Sequence, residues 1–226
     1  MRSIISNLIE PVSYFIFLFI FIAYFKLFRQ SKTKVLILFY LNAGLFMLYA
    51  TYLGNSNKEN TFVYNYLLLP LSIILLPLYF QKIINNSKKR NIIQALTYIN
   101  LSVFIGRLFL SKQNIFFDSI GFALLGLTVV ICCYLFFNQK INEISEQPIY
   151  EDFDFWVVCS FFISYSGSFL IFLTYYYLTN RIYLNEKMDD SILITFLWGI
   201  PNILSLASSL FTLTGFLWVR YHRKLS

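Results

Sequence analysis

Seven long apolar runs, each closed by a short polar break, set the rhythm of the chain. A helix needs about 20 mainly apolar residues to cross the hydrocarbon core of a bilayer. Runs of that kind fall at approximately 12–28, 34–53, 62–80, 92–110, 115–137, 153–179 and 192–219. The breaks between them are rich in Asn, Ser, Lys and Gln, as in Gly54 to Asn60 and Asn85 to Arg90. The runs are too long and too continuously apolar for the alternating strands of a β-barrel. The pattern predicts an all-α polytopic membrane protein, a bundle of about seven transmembrane helices forming one domain over residues 1–226. Met1 to Pro11 leads into the first run without a small-residue cleavage site, so that run reads as a retained helix and not a signal peptide.

Composition points the same way. Hydrophobic residues make up 58 % of the chain and charged residues 13 %, where a soluble domain carries about 25 % charged. Every loop is short, so function must use the bundle or its rims. The net charge of +7 does not signal nucleic acid, because the basic residues sit in clusters between apolar runs. Such clustering obeys the rule that Lys and Arg collect on the cytoplasmic side. With the N-terminus outside, twelve fall inside, among them Lys26, Lys32, Lys82, Lys88, Lys89, Arg90, Lys140 and Arg220, against six outside. The expected orientation is N-out and C-in, in a bacterial cytoplasmic membrane.

Few polar residues interrupt the spans, and these are the candidate functional groups. Arg107, late in the fourth run, lies across a short turn from Asp118; the two pair, or Arg107 snorkels to the headgroups. Asn100 sits seven residues before Arg107 on the same helical face, with Gln94 and Thr97 nearby, a stripe that suits either a small-molecule pocket or interhelical hydrogen bonds. Pro70 and Pro77 share one face of the third run. Ser160, Ser164 and Ser168 form a small-residue face on the sixth, and Ser205, Ser209 and Thr212 another on the seventh. Trp198-Gly199-Ile200-Pro201-Asn202 reads as a break in the seventh helix, a moving or ligand-facing segment made of Trp198, Pro201 and Asn202. On the cytoplasmic side, Glu143, Glu146, Glu151 and Asp154 form an acidic rim where a partner with basic residues could dock.

Other residues exclude chemistry. Cys132, Cys133 and Cys159 lie inside apolar runs without C-x-x-C spacing, so packing is their expected role. The only histidine is His222 in the tail, which leaves Ser166-Gly167-Ser168 without a base for Ser-His catalysis. There is no Lys within the seventh span for a retinal Schiff base, and no phosphate-loop, H-E-x-x-H or dinucleotide motif. No cofactor is expected.

Asn7 to Phe15, Phe117-Asp118-Ser119-Ile120-Gly121, Phe153-Asp154-Phe155-Trp156 and Trp198 to Asn202 together resemble an uncharacterised family of small multi-pass bacterial membrane proteins. That family is similar in setting to proteins encoded beside sensor histidine kinases. The resemblance implies signalling by association and carries over no functional residue. The leading expectation is a non-enzymatic sensory or partner subunit in the lipid bilayer, acting on another membrane protein such as a histidine kinase. A carrier of a small lipophilic ligand is the alternative, and an intramembrane enzyme using Asp or Glu a third.

Overall fold

The computed structural model describes residues 4–28, 30–56, 58–110, 117–143, 148–184 and 191–225. They form α1 (Ile4–Phe28), α2 (Ser31–Asn55), α3 (Leu69–Ile83), α4 (Ser87–Leu110), α5 (Ser119–Asn142), α6 (Phe153–Leu184) and α7 (Ser191–Leu225). All seven are long and apolar enough to cross a membrane, α3 together with the turn that precedes it. The protein is a multi-pass helical membrane protein. Helix α7 has 35 residues, about 52 Å at 1.5 Å per residue, so it extends well past a hydrocarbon core of about 30 Å. The polar Ser87 to Arg90, expected as a loop, is the first turn of α4; Asn86 Oδ1 accepts from the Lys88 and Lys89 amides there.

Neighbouring helices close a ring in the order α1, α2, α3, α5, α6, α7 and back to α1. Helix α4 lies outside the ring against α3 and α5. Only 11 % of its spanning window is buried, against 61 % for the windows of α3 and α5. The sequence gives no hint that α4 stands outside the ring, since its run is as able to span a membrane as the others.

Proline shapes the third span. Pro70 lacks the N–H that the Tyr66 carbonyl would accept, and its ring crowds that carbonyl. The chain answers with a π-helical stretch, Val63–Leu68, immediately before α3. This wider turn carries Tyr64 and Asn65, which both make tertiary hydrogen bonds. Pro201 behaves differently from expectation. It lies inside an unbroken α7, so the Trp198–Asn202 segment is not a helix break; it leaves the Leu197 carbonyl without its helical donor while the helix continues.

The core of the half of the bundle nearer the C-terminus is filled with aromatic rings. Tyr79, Phe80 and Phe161 meet at centroid distances of 5.6–6.0 Å, and Tyr24 stacks on Phe153 at 4.1 Å. Gly215 admits the Trp156 ring against α7; a Cβ there would lie 2.2 Å from Trp156 Cγ. Cys132 and Cys133 are buried in the same core, where they fill space as small apolar groups.

Candidate functional site

The half nearer the N-terminus is not solid. A cavity of about 80 Å³ opens between five of the six ring helices, room for several water molecules or a compact polar head. Helix α1 supplies Glu10 and Tyr14, and the π-helical turn and α3 supply Tyr64, Leu68 and Ser72. Phe117, Phe122 and Leu125 come from α5 and the residues before it, Ser164, Tyr165, Ser168 and Phe172 from α6. Helix α7 contributes Trp198, Pro201, Asn202 and Ser205.

The two small-residue faces explain why space is left here. Deeper in the bundle Ser160, Ser209 and Thr212 are fully buried, and their hydroxyls donate to their own helices' carbonyls. That lets α6 and α7 pack closely. Nearer the N-terminal end the same faces continue as Ser164, Ser168 and Ser205, which line the cavity. On α6 one of the three serines packs and two line the cavity, and on α7 Ser209 and Thr212 pack while Ser205 lines it.

Glu10 is the acidic side chain among the described lining residues, although the sequence pattern places it in the leader to the first span. It lies within that span, Ile9–Lys26. Tyr64 Oη donates to Glu10 Oε2 at 3.3 Å. The Tyr64 ring stands edge-on to Trp198 at 5.6 Å and 79°, and Phe117 meets Trp198 at 4.7 Å and 85°. Tyr64 and Phe117 are themselves 6.1 Å apart at 79°. Three lining rings therefore stand nearly perpendicular to one another beside a carboxylate.

Of the residues singled out from the sequence, Trp198, Pro201 and Asn202 line this cavity, and Asn100, Arg107 and Asp118 do not. Asn100 is 5 % exposed and donates to Thr128 Oγ1 at 2.7 Å, a bond that ties α4 to α5. Asn100 is thus an interhelical contact, while Gln94 of the same stripe lines a separate cleft of about 370 Å³ with Gln81, Lys82 and Arg90. Arg107 pairs with Asp118 at 2.8 Å. Asp118 also caps α5, accepting from the Gly121 amide at 2.9 Å, and donates its own amide to Asn65 Oδ1 at 2.8 Å. These contacts brace the π-helical turn, α4 and α5 beside Phe117 and hold that ring at the cavity.

No protein-family model, curated protein or solved structure matches this chain.

At the opposite end the acidic rim is smaller than the sequence suggested. Asp154 is 6 % exposed; it accepts from Tyr79 Oη at 3.0 Å and pairs with Lys32. A carboxylate so enclosed joins α2, α3 and α6 and is not a docking residue, a correction the sequence could not supply because Asp154 follows an exposed acidic loop. Asp152 pairs with Lys140 at 2.9 Å. Glu143 is exposed and Glu151 half-buried at the rim; Glu146 lies outside the described residues. Glu151 belongs to a short 3-10 turn, Ile149–Glu151. That turn rests on α6 through Trp156 Nε1, which donates to the Tyr150 carbonyl at 2.8 Å, and on α7 through Tyr150 and Trp218, 6.2 Å apart. Among the described residues no three His, Cys, Asp or Glu side chains converge as a metal ion would need.

Proposed function

We propose that the protein is a sensory subunit of a bacterial cytoplasmic membrane that binds a small amphiphile in this cavity and acts by contact on a partner membrane protein. The observation that carries the reading is the cavity itself, walled by five of the six ring helices and lined by polar and aromatic groups. A molecule held there touches α1, α3, α5, α6 and α7 at once. It can bias the bundle between two packings wherever it binds one better than the other. Helix α7 joins the two ends: it lines the cavity with Trp198 and Asn202, and near its other end Trp218 packs on the turn that carries Glu151. Sensing is favoured over carriage by the packed ring cluster of Tyr79, Phe80 and Phe161 between the cavity and the opposite rim. The partner is a membrane protein with basic residues at the cytoplasmic surface, of which a sensor kinase is one.

Photolabelling with an aliphatic diazirine alcohol of about six carbons tests the site. Label is expected in peptides of α1, α6 and α7, and Ser168→Phe, which fills the cavity, should cut it at least fivefold. Label concentrated on the lipid-facing α4 and indifferent to Ser168→Phe would overturn the reading. Coupling is tested separately: a membrane partner recovered under mild detergent should be lost when Glu143 and Glu151 are both reversed to Lys, and recovery indifferent to that change would remove the rim from the mechanism.

A further inference from the structure

We infer that the head the cavity takes is a compact organic cation, an amine or quaternary ammonium; this rests on the ligand-binding reading above and narrows it. The first ground is charge. Among the described lining side chains Glu10 is the only ionisable acid or base apart from tyrosines, and the ion pairs among the described residues join Lys32 to Asp154, Arg107 to Asp118 and Lys140 to Asp152, not Glu10 to any base. A carboxyl group inside a membrane span either stays protonated or takes a counter-charge, and it marks a functional candidate. One hydroxyl, from Tyr64 at 3.3 Å, offers a dipole and no counter-charge. A cationic ligand supplies that charge, an anionic one is repelled, and a neutral one leaves Glu10 as it is.

The second ground is the shape of the aromatic wall. Tyr64, Phe117 and Trp198 stand at 79°, 79° and 85° to one another with centroids 4.7–6.1 Å apart. The negative face of an aromatic ring attracts a cation whose hydration shell has been removed, and Tyr64 and Trp198 line the cavity beside Glu10, while Phe117 is itself stacked on Phe122 at 4.9 Å. Trp is the best of the aromatic partners, and Trp198 meets both other rings of this corner. A carboxylate and an aromatic corner joined through Tyr64 therefore make one composite site: the carboxylate neutralises the ligand and the rings select for a compact, weakly hydrated cation. The apolar remainder of the lining, Leu68, Phe122 and Phe172 among it, suits a short alkyl tail.

The test uses the full chain in nanodiscs of zwitterionic lipid, with radiolabelled butyltrimethylammonium as the probe and the diazirine alcohol as a neutral control. Saturable binding of one cation per protein is expected, weakened at least tenfold by Glu10→Gln and by Trp198→Leu. Glu10→Gln should still photolabel with the alcohol, which shows that the variant is folded and its cavity open. Cation binding that is absent, or equal in Glu10→Gln, while the alcohol still labels the wild-type cavity would overturn the cation inference and leave the ligand-binding reading standing. Loss of cavity labelling in the wild type would overturn both.

Discussion

Single residues carry the polar chemistry of this bundle, and they divide into braces and cavity groups by what they touch. Arg107 and Asp118 are a brace, 31 % and 13 % exposed at their side chains. Removing one partner from a pair of intermediate burial should cost about 1–3 kcal/mol, between the values for exposed and for buried pairs. Arg107→Ala is therefore expected to lower the melting temperature in detergent. Asp118→Asn, which keeps an oxygen for the Gly121 cap, should lower it less than Asp118→Ala, and its effect should not add to that of Arg107→Ala. Two small additive shifts would mean that Arg107 only snorkels. The pair was legible in the sequence because a charge of each sign flanks one short turn. Glu10 was not, because a carboxylate next to Pro11 reads as the edge of a span; only the position of Tyr64 and Trp198 across the bundle gives it meaning. Asp154 misled for the opposite reason: its neighbours in sequence are exposed acids, and its neighbours in space are Tyr79 and Lys32.

At the scale of elements, helix α7 combines a tight contact with a loose one, and two glycines mark them. At Gly215 an added Cβ would lie 2.2–2.5 Å from the Trp156 ring and its Cβ, whereas at Gly199 nothing lies within 4 Å. Gly215→Ala should force α7 off α6 and destabilise the bundle by about 1–3 kcal/mol. Gly199→Ala should stabilise by about 0.5–1 kcal/mol, since Ala loses less backbone entropy than Gly in a helix. Thermal unfolding of the two variants checks the contrast; equal shifts would show that the α6–α7 contact is not close. If motion near Pro201 links cavity to rim, Gly199→Ala should also weaken the ligand's effect on partner recovery while leaving the fold more stable. Spans and polar breaks were plain in the sequence because hydropathy decides both. The π-helical stretch before Pro70 and the peripheral place of α4 were not: the first depends on how one proline is accommodated, the second on which of several apolar faces finds a partner.

For the whole molecule, seven spans put the first and last helix ends on opposite sides of the membrane, and the Lys and Arg bias predicts the N-terminal end outside and the C-terminal end inside. Reporters inserted after Asn86 and at Ser226 should therefore signal from the cytoplasm, and one after Lys58 from outside. A cytoplasmic signal from Lys58 would invert the molecule and turn the cavity to face the cell interior. Seven helices were countable from hydropathy, but their order around the ring was not, since nothing in an apolar run states its neighbour. That order has a consequence for biogenesis. Because α1 sits between α2 and α7, α1 keeps one face uncovered until α7, made after the other six, has been inserted. The ring shuts only once α7 is in place, with the rings of Tyr24 and Phe216, 6.5 Å apart, at the seam. A chain stalled before α7 exposes that seam to the bilayer and to the proteases that patrol it, so weakening the seam should show first as lost protein in the cell and only later as a lower melting temperature in the tube.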